Sequence, residues 1–390
     1  MTILLLVVGI LLFIGLVVVH EYGHFIAARR NGVGVEEFGI FFPPRLYKKK
    51  MKSGWDFTIN ALPLGGFVKL KGEHDSDTEK GTFGAASTWA KVKIMVAGVF
   101  MNLITALILF TILALVGMPK LIDNQFTVKN DTTPVTSKVL AAYVEPGSPA
   151  AKAGVEPLDE ITALQIPGNS PVAIVSVDKL PQVTKNFAGK TAYVYYVRDG
   201  NETKKLTNLL STEQVNASKK TDNPKGYLGI APTEFVLQRS TWSAPIVAIG
   251  FSAQVTALTF QGLGHALAGL GSIIAGTTTG NTEARQNGQT AASEQVSGPV
   301  GIFVILKDGS LLGLQFILFI IAIISLTLAI MNILPIPALD GGRLWLILFY
   351  RKILKKPLSA KREESINAAG FVILIGLILT ITFVDIKRFF

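Results

Sequence analysis

The sequence predicts a polytopic α-helical membrane protein. It should have four transmembrane helices, a membrane-associated β-hairpin and an inserted extracytoplasmic α+β domain. Three observations predict this. The 390 residues are 49% hydrophobic and only 16% charged, whereas soluble domains carry about a quarter charged residues. Mean hydropathy is +0.45, and the apolar residues fall in blocks long enough to cross a bilayer. The basic residues gather in two of the links between those blocks, as the positive-inside rule leads one to expect of a membrane protein.

Residues 1–30 read as the first span. No basic residue precedes the apolar run and no small-residue cleavage site follows it, so it is expected to be retained. Residues 31–91 are basic, carrying Arg45, Lys48, Lys49, Lys50, Lys52, Lys69, Lys71 and Lys91, and should face the cytoplasm. Within them, DFTINALPLGGFVKLK at 56–71 sets strand-forming residues around a Pro-Leu-Gly-Gly break, a hairpin signature. It is apolar enough to dip into the bilayer, and its edge could pair with an extended partner strand. Residues 92–117 form the second span. Residues 139–233 become globular, with short strands and a small helix, and suggest a compact binding module.

Residues 242–276 are apolar but hold Gln254, Gln261 and His265. A span there would turn the next basic link, 344–367, to the outside. The segment is therefore expected to lie as an interfacial helix on the outer surface. Residues 277–310 read as a mobile loop followed by SGPVGI. Residues 311–343 and 368–386 form the third and fourth spans. Both termini then lie outside and both basic links inside. The net charge of +10 reports orientation, and no nucleic-acid partner is expected.

Chemistry concentrates in the first span, which ends in His20-Glu21-Tyr22-Gly23-His24. Residues four apart share a helix face, so His20 and His24 can grip one metal ion. Glu21 is placed to take a proton from the attacking water, as in zinc peptidases. The chain has four histidines and no cysteine, so thiolate ligands, disulfides and a cysteine nucleophile are excluded. The metal must use His, Asp or Glu, which suits zinc. Catalytic zinc takes three protein ligands. His74 and His265 are poor third ligands, the first in a polar stretch and the second expected outside. Asp340, in Asn332-Ile-Leu-Pro-Ile-Pro-Ala-Leu-Asp340-Gly-Gly, is the better one, because an ionisable residue at membrane depth marks function. Pro335 and Pro337 should break the helix before it.

HEYGH at 20–24, LPLGGFVKL at 62–70, SGPVGI at 297–302 and NILPIPALDGGR at 332–343 together resemble the site-2 protease family of intramembrane zinc metalloproteases, in its bacterial PDZ-containing branch. The resemblance covers nearly the whole chain. It implies one zinc per chain on His20, His24 and Asp340, Glu21 as general base, and Asn332 holding substrate backbone. It also implies that the hairpin receives an unwound substrate strand, with Gly65, Gly66 and Phe67 as substrate-binding residues. The module at 139–233 would be a PDZ-like domain that limits access by bulky substrates. The expected partners are the lipid bilayer, single-span membrane proteins or signal-peptide remnants as substrates, and an upstream site-1 protease that cuts first. The location would be the bacterial cell membrane, with the active site towards the cytoplasmic side.

Two departures from the family pattern stand out. Leu158 replaces the usual glycine in AGVEPLDEI (153–161), which puts the turn shape in question. AGVFMN (97–102) lacks the family's proline, so its helix should be straighter. Two rival readings use the same residues. One is a PDZ-bearing membrane receptor or scaffold with a vestigial metal site, against which the intact Glu21 and full ligand set argue. The other is a different zinc peptidase class with a glutamate as third ligand. Its candidates, Glu363 and Glu364, are expected in a basic, solvated stretch.

Overall fold

The computed structural model describes residues 2–221, 224–283, 286–287 and 298–389. In chain order its elements are α1 (Thr2–Arg30), β1 (Val35–Lys50), β2 (Asp56–Leu70), α2 (Thr88–Val116), β3 (Met118–Lys120), β4 (Thr133–Val144), α3 (Pro149–Lys152), β5 (Glu160–Gln165), β6 (Val172–Ala173), α4 (Lys179–Asn186), β7 (Thr191–Arg198), β8 (Asn201–Asn208), α5 (Thr212–Ser218), β9 (Ile230–Arg239), α6 (Ala244–Thr279), α7 (Pro299–Gly309), α8 (Leu314–Ile333), α9 (Asp340–Leu348) and α10 (Ala360–Phe389). The chain divides into two compact units. One comprises 1–6, 111–247 and 307–319, the other 7–110, 248–306 and 320–390.

Helices α1, α2, α6, α8 and α10 are each long and apolar enough to cross a membrane. In hydrocarbon a helix satisfies its own backbone groups, which is why such apolar runs adopt it. The charge pattern led to an expectation of four spans, and five helices qualify by length and composition. The extra one is α6, expected as an interfacial segment at 242–276. It is a single helix of 36 residues, about 54 Å long at 1.5 Å per residue, and the least apolar of the five.

Two other boundaries differ from expectation. The third span, expected as 311–343, is broken into α8 and α9 by the segment 334–339. Part of the expected loop 277–310 lies outside the described residues, and of the rest Pro299–Gly309 is helical. The GPVGI part of the SGPVGI run supplies the start of α7. There the Gly298 and Gly301 N–H groups donate to the Asp385 carboxylate of α10 at 2.9 and 2.8 Å. A carboxylate at a helix N-terminus accepts from its unpaired N–H groups.

The hairpin is more folded than a simple ribbon. β1 and β2 pair antiparallel with a doubled register: Phe38 faces both Val68 and Phe57, and Ile40 both Gly66 and Ile59. Residues 35–40 therefore lie between 66–70 and 56–59, while 45–50 lie beyond 56–60. The segment 66–70 is left as one edge of this small sheet.

In the other unit the sheet runs β3-β9-β4-β5-β7-β8, with β6 on β5. It extends from Met118 to Arg239, wider than the expected 139–233. Its core joins Val139, Ala141, Ile161, Leu164, Val194 and Leu228, with Leu180 and Val183 of α4 packed into it. Strand β3 covers only Val236–Gln238 of β9, so Ile230–Phe235 pair on one side with β4 alone. Asp131 is a second anchor in this unit. Its carboxylate accepts from Thr241 N–H at 2.8 Å, and from Ser243 N–H and Oγ at 3.0 and 2.6 Å. The Ser243 and Thr241 hydroxyls, with their two amides, hold its carboxyl well below the usual carboxylate range.

The question raised by Leu158 is resolved by its backbone. Leu158 has φ +72°, so the glycine-type turn is kept with a side chain in the left-handed region. Its N–H donates to Ala141 O at 2.8 Å, and the neighbouring Asp159 takes a two-pronged bond from Arg198 at 2.8 and 2.7 Å. Left-handed backbone costs a non-glycine residue about 1–3 kcal/mol, and glycine returns up to about 1 kcal/mol of that as unfolded-state entropy. Leu158→Gly is therefore expected to stabilise this unit by about 1 kcal/mol. Pulse proteolysis across a urea series would read this, and a lower midpoint for the variant would refute it.

Candidate metal centre

The centre is assembled from α1, α2 and the start of α9. On α1, four-residue spacing puts His20 and His24 on one face. Their rings meet edge to face, with centroids 4.9 Å apart and Nε2 atoms 3.2 Å apart. Asp340 Oδ2 lies 2.9 Å from His20 Nε2 and 3.1 Å from His24 Nε2. These three residues form the one cluster of potential metal ligands found among the described residues. His74 and His265 lie outside it, as expected.

Two glycines let α1 and α2 meet at this depth. A Cβ on Gly23 would fall 2.6 Å from Ala97 O, and one on Gly98 would fall 2.7 Å from His20 Nε2 and crowd His24 Nε2 as well. Small residues permit such close helix approach in membranes. The α2 backbone also sets one ligand: His24 Nδ1 lies 2.8 Å from Ile94 O. A ring nitrogen facing a carbonyl must carry the proton, which leaves Nε2 with its lone pair free. On the other ring, His20 Nδ1 lies 3.2 Å from the Asn102 side-chain amide.

Asp340 is delivered by a helix that breaks before it, where Pro335 and Pro337 led one to expect a break. Pro337 has no N–H to give Ile333 O, four residues back. Trp345 Nε1–H donates to that carbonyl instead, at 3.0 Å. Ala338 adopts φ +73°, and the chain re-enters helix at Asp340. Gly341 and Gly342 lie so close to the backbone of 333–337 that neither has room for a Cβ. On α10, Gly370 seats against Pro337 in the same way.

Behind this turn lies a buried polar clasp. Arg343 donates to Glu363 Oε1 at 2.8 Å and to the carbonyl of Glu73, with its guanidinium 4.8 Å from the centre of the Phe83 ring. Glu363 accepts from the Asp75 N–H at 3.1 Å. Lys91 and Arg351 both bond the Asp75 carboxylate, at 2.5 and 3.0 Å. Glu363, expected in a solvated stretch, is only 2% exposed; partners distant in sequence bury it. It takes part in this clasp and not in the metal cluster.

The hairpin residues meet the centre at Glu21. A Cβ on Gly66 would lie 3.1 Å from Glu21 Cγ. The edge segment 66–70 is thus a wall of the site. Gly65 and Phe67 play packing parts: Gly65 gives room to the Phe42 ring, and Phe67 stacks on Phe42 with centroids 6.4 Å apart. Asn332 stands half-buried on the last turn of α8 and makes no side-chain hydrogen bond to a described residue. Asn102, Gly98 and the Ile94 carbonyl were not singled out as site residues from sequence. Asn102 was visible only as the end of the AGVFMN run.

The donor set fits zinc. Ligands about 2.0–2.2 Å from a tetrahedral zinc lie about 3.3–3.5 Å from one another, close to the spacings seen here. Two imidazoles and one carboxylate form a known catalytic ligand set that keeps a fourth position open. An acidic helix start in a membrane protein, held against two imidazoles, is otherwise hard to account for.

The comparisons with known proteins agree. The model of peptidase family M50 matches residues 8–377. The chain is 30% identical over 383 residues to a Clostridium perfringens protein provisionally named zinc metalloprotease CPE1693, covering 98% of each chain. It is 31% identical to a similarly named Clostridium acetobutylicum protein, CA_C1796, over 98% of this chain and 97% of that one. It is 26% identical to the zinc metalloprotease RasP of Shouchella clausii, over 98% of each. The chain therefore belongs to peptidase family M50, the site-2 proteases. It is a zinc metalloendopeptidase and a multi-pass membrane protein acting on membrane-embedded substrates.

Proposed function

We propose that this enzyme cuts the transmembrane segments of single-span proteins or signal-peptide remnants, in a regulated pathway where a site-1 protease acts first. The observation that carries the reading is the convergence of His20 Nε2, His24 Nε2 and Asp340 Oδ2 within 2.9–3.2 Å, from residues up to 320 apart in sequence. His20, His24 and Asp340 would hold the zinc. When bound, zinc supplies positive charge that polarises the scissile carbonyl and acidifies water. Glu21 takes the proton of the attacking water as oxygen bonds to the carbonyl carbon. It returns that proton to the amide nitrogen as the C–N bond breaks.

A helical substrate hides its peptide bonds in its own hydrogen bonds and must unwind first. The edge 66–70 can pair with the unwound strand, and Asn332 has an uncommitted amide to hold its backbone. The sheet around β9 is read as the PDZ-like domain, with the open edge Ile230–Phe235 as its peptide-binding strand.

Metal analysis tests the ligand set. Asp340→Ala is expected to lose most of its zinc, and full wild-type occupancy would remove Asp340 from the site. Orientation has its own test, since the chain has no cysteine of its own. With both termini outside and the site towards the cytoplasm, a cysteine introduced at Asn201 should react with an impermeant reagent in intact cells. One at Lys355 should be protected. Labelling at 355 would mean that α6 spans the membrane.

A further inference from the structure

Zinc on Nε2 of both histidines fixes where each ring proton must be. For His24 the matter is simple, because Nδ1 faces the Ile94 carbonyl at 2.8 Å. His20 has no carbonyl. Its Nδ1 lies 3.2 Å from the side-chain nitrogen of Asn102, and on the far side its Nε2 is 2.9 Å from Asp340. With the amide nitrogen towards the ring, Asn102 would donate to Nδ1, which suits only the tautomer that cannot bind metal through Nε2.

Binding through Nε2 moves the proton to Nδ1. An Nδ1–H would then face the two N–H bonds of the Asn102 amide, donor against donor. The amide's other end resolves this. Asn102 Oδ1 is buried and lacks a hydrogen-bond partner among the described residues. A half-turn about the Cβ–Cγ bond brings this oxygen to the ring, since the two ends of an amide have nearly the same shape. The residue is built to stay in place while it turns. It is 1% exposed, and Ser325 Oγ–H donates to its backbone carbonyl at 2.8 Å.

We propose that Asn102 is a positioning residue for His20. Its side-chain oxygen accepts Nδ1–H and holds the ring in the tautomer that offers Nε2 to zinc. Second contacts of this kind change metal affinity by about 10–100-fold when removed.

The inference rests on the zinc reading above, and the test separates the two. Zinc affinity is measured by chelator competition on detergent-solubilised, full-length protein for wild type, Asn102→Leu, Asn102→Asp and Asp340→Ala. Asn102→Leu keeps the volume but offers no acceptor, and is expected to bind zinc about 10–100-fold more weakly. Asn102→Asp keeps the acceptor and is expected to bind within a few-fold of wild type. If Asp340→Ala loses zinc while Asn102→Leu binds like wild type, the positioning role is refuted and the zinc reading stands. If Asp340→Ala binds like wild type, the zinc reading itself fails.

A second measurement needs no variant of Asn102. The chain has four histidines, so imidazole-¹⁵N labelling gives a small spectrum, with His20 assigned by its loss in His20→Gln. In the zinc-loaded wild type, Nδ1 of His20 should appear as a protonated, slowly exchanging nitrogen. An unprotonated Nδ1 would overturn the proposal.

Discussion

Glu21→Gln is expected to retain its zinc and its fold and to lose about 10²–10⁴-fold in peptide-bond cleavage, the range spanned by general-base catalysis. The carboxamide has nearly the same shape, so the contact with Gly66 is little disturbed. What it lacks is a basic oxygen. It cannot take the proton of the attacking water or deliver one to the leaving nitrogen. The measurement is turnover of a purified single-span substrate in detergent or liposomes, with zinc content determined on the same preparation. A variant that keeps its zinc and cleaves at a rate comparable to wild type would remove Glu21 from the mechanism. One that loses its zinc would show the residue to be structural first.

The second large effect is expected far from the chemistry. Asp75→Ala should destabilise the protein by about 3–5 kcal/mol, the cost of breaking a buried ion pair from one side. Lys91 is 1% and Asp75 0% exposed, and removing the carboxylate leaves a buried ammonium with the Gly84 carbonyl as its one hydrogen-bond acceptor among the described residues. Arg351 and the Leu358 N–H lose their acceptor too. Burial alone would raise the pKa of Asp75. The hydrogen bonds from Lys91, Arg351 and Leu358 outweigh this and hold it below the usual carboxylate range. The sign follows from linkage. This stabilisation is present above the unfolded-state value of about 3.9 and is lost as pH falls through the lowered native value. The check is the urea midpoint of wild type and variant, at neutral pH and again at acid pH. The gap between them should close on acidification. A wild-type midpoint for Asp75→Ala at neutral pH would show that the clasp contributes nothing.

The contrast between these residues explains what could be read in the sequence. His20, Glu21 and His24 were legible because a helix turns four-residue spacing into proximity, so local order sufficed. Asp340 was legible because a carboxylate at membrane depth needs a reason to be there. The break before it was legible from Pro335 and Pro337, but not the capping of the Ile333 carbonyl by Trp345 from twelve residues away, a contact that leaves no periodic trace. Glu363 was misjudged for the same reason. Its neighbours in sequence are basic and polar, but Arg343 and the Asp75 N–H bury it from 20 and 288 residues away. Asn102 was visible only as the end of the AGVFMN run and not as a site residue, because its partner is a ring on another helix. Leu158 shows the opposite error. A glycine-type turn was doubted for want of glycine, yet the bonds around Ala141 and Asp159 hold leucine in the left-handed conformation.

His20, Glu21, His24, Gly66, Gly98, Asn102, Asn332 and Asp340 all belong to one compact unit. The sheet of β3 to β9 belongs to the other, inserted in the chain between Phe110 and Ala248. Chemistry and insert are thus inherited on separable parts of one gene. The insert between Phe110 and Ala248 can therefore be lengthened or reshaped with no substitution among the residues of the metal centre.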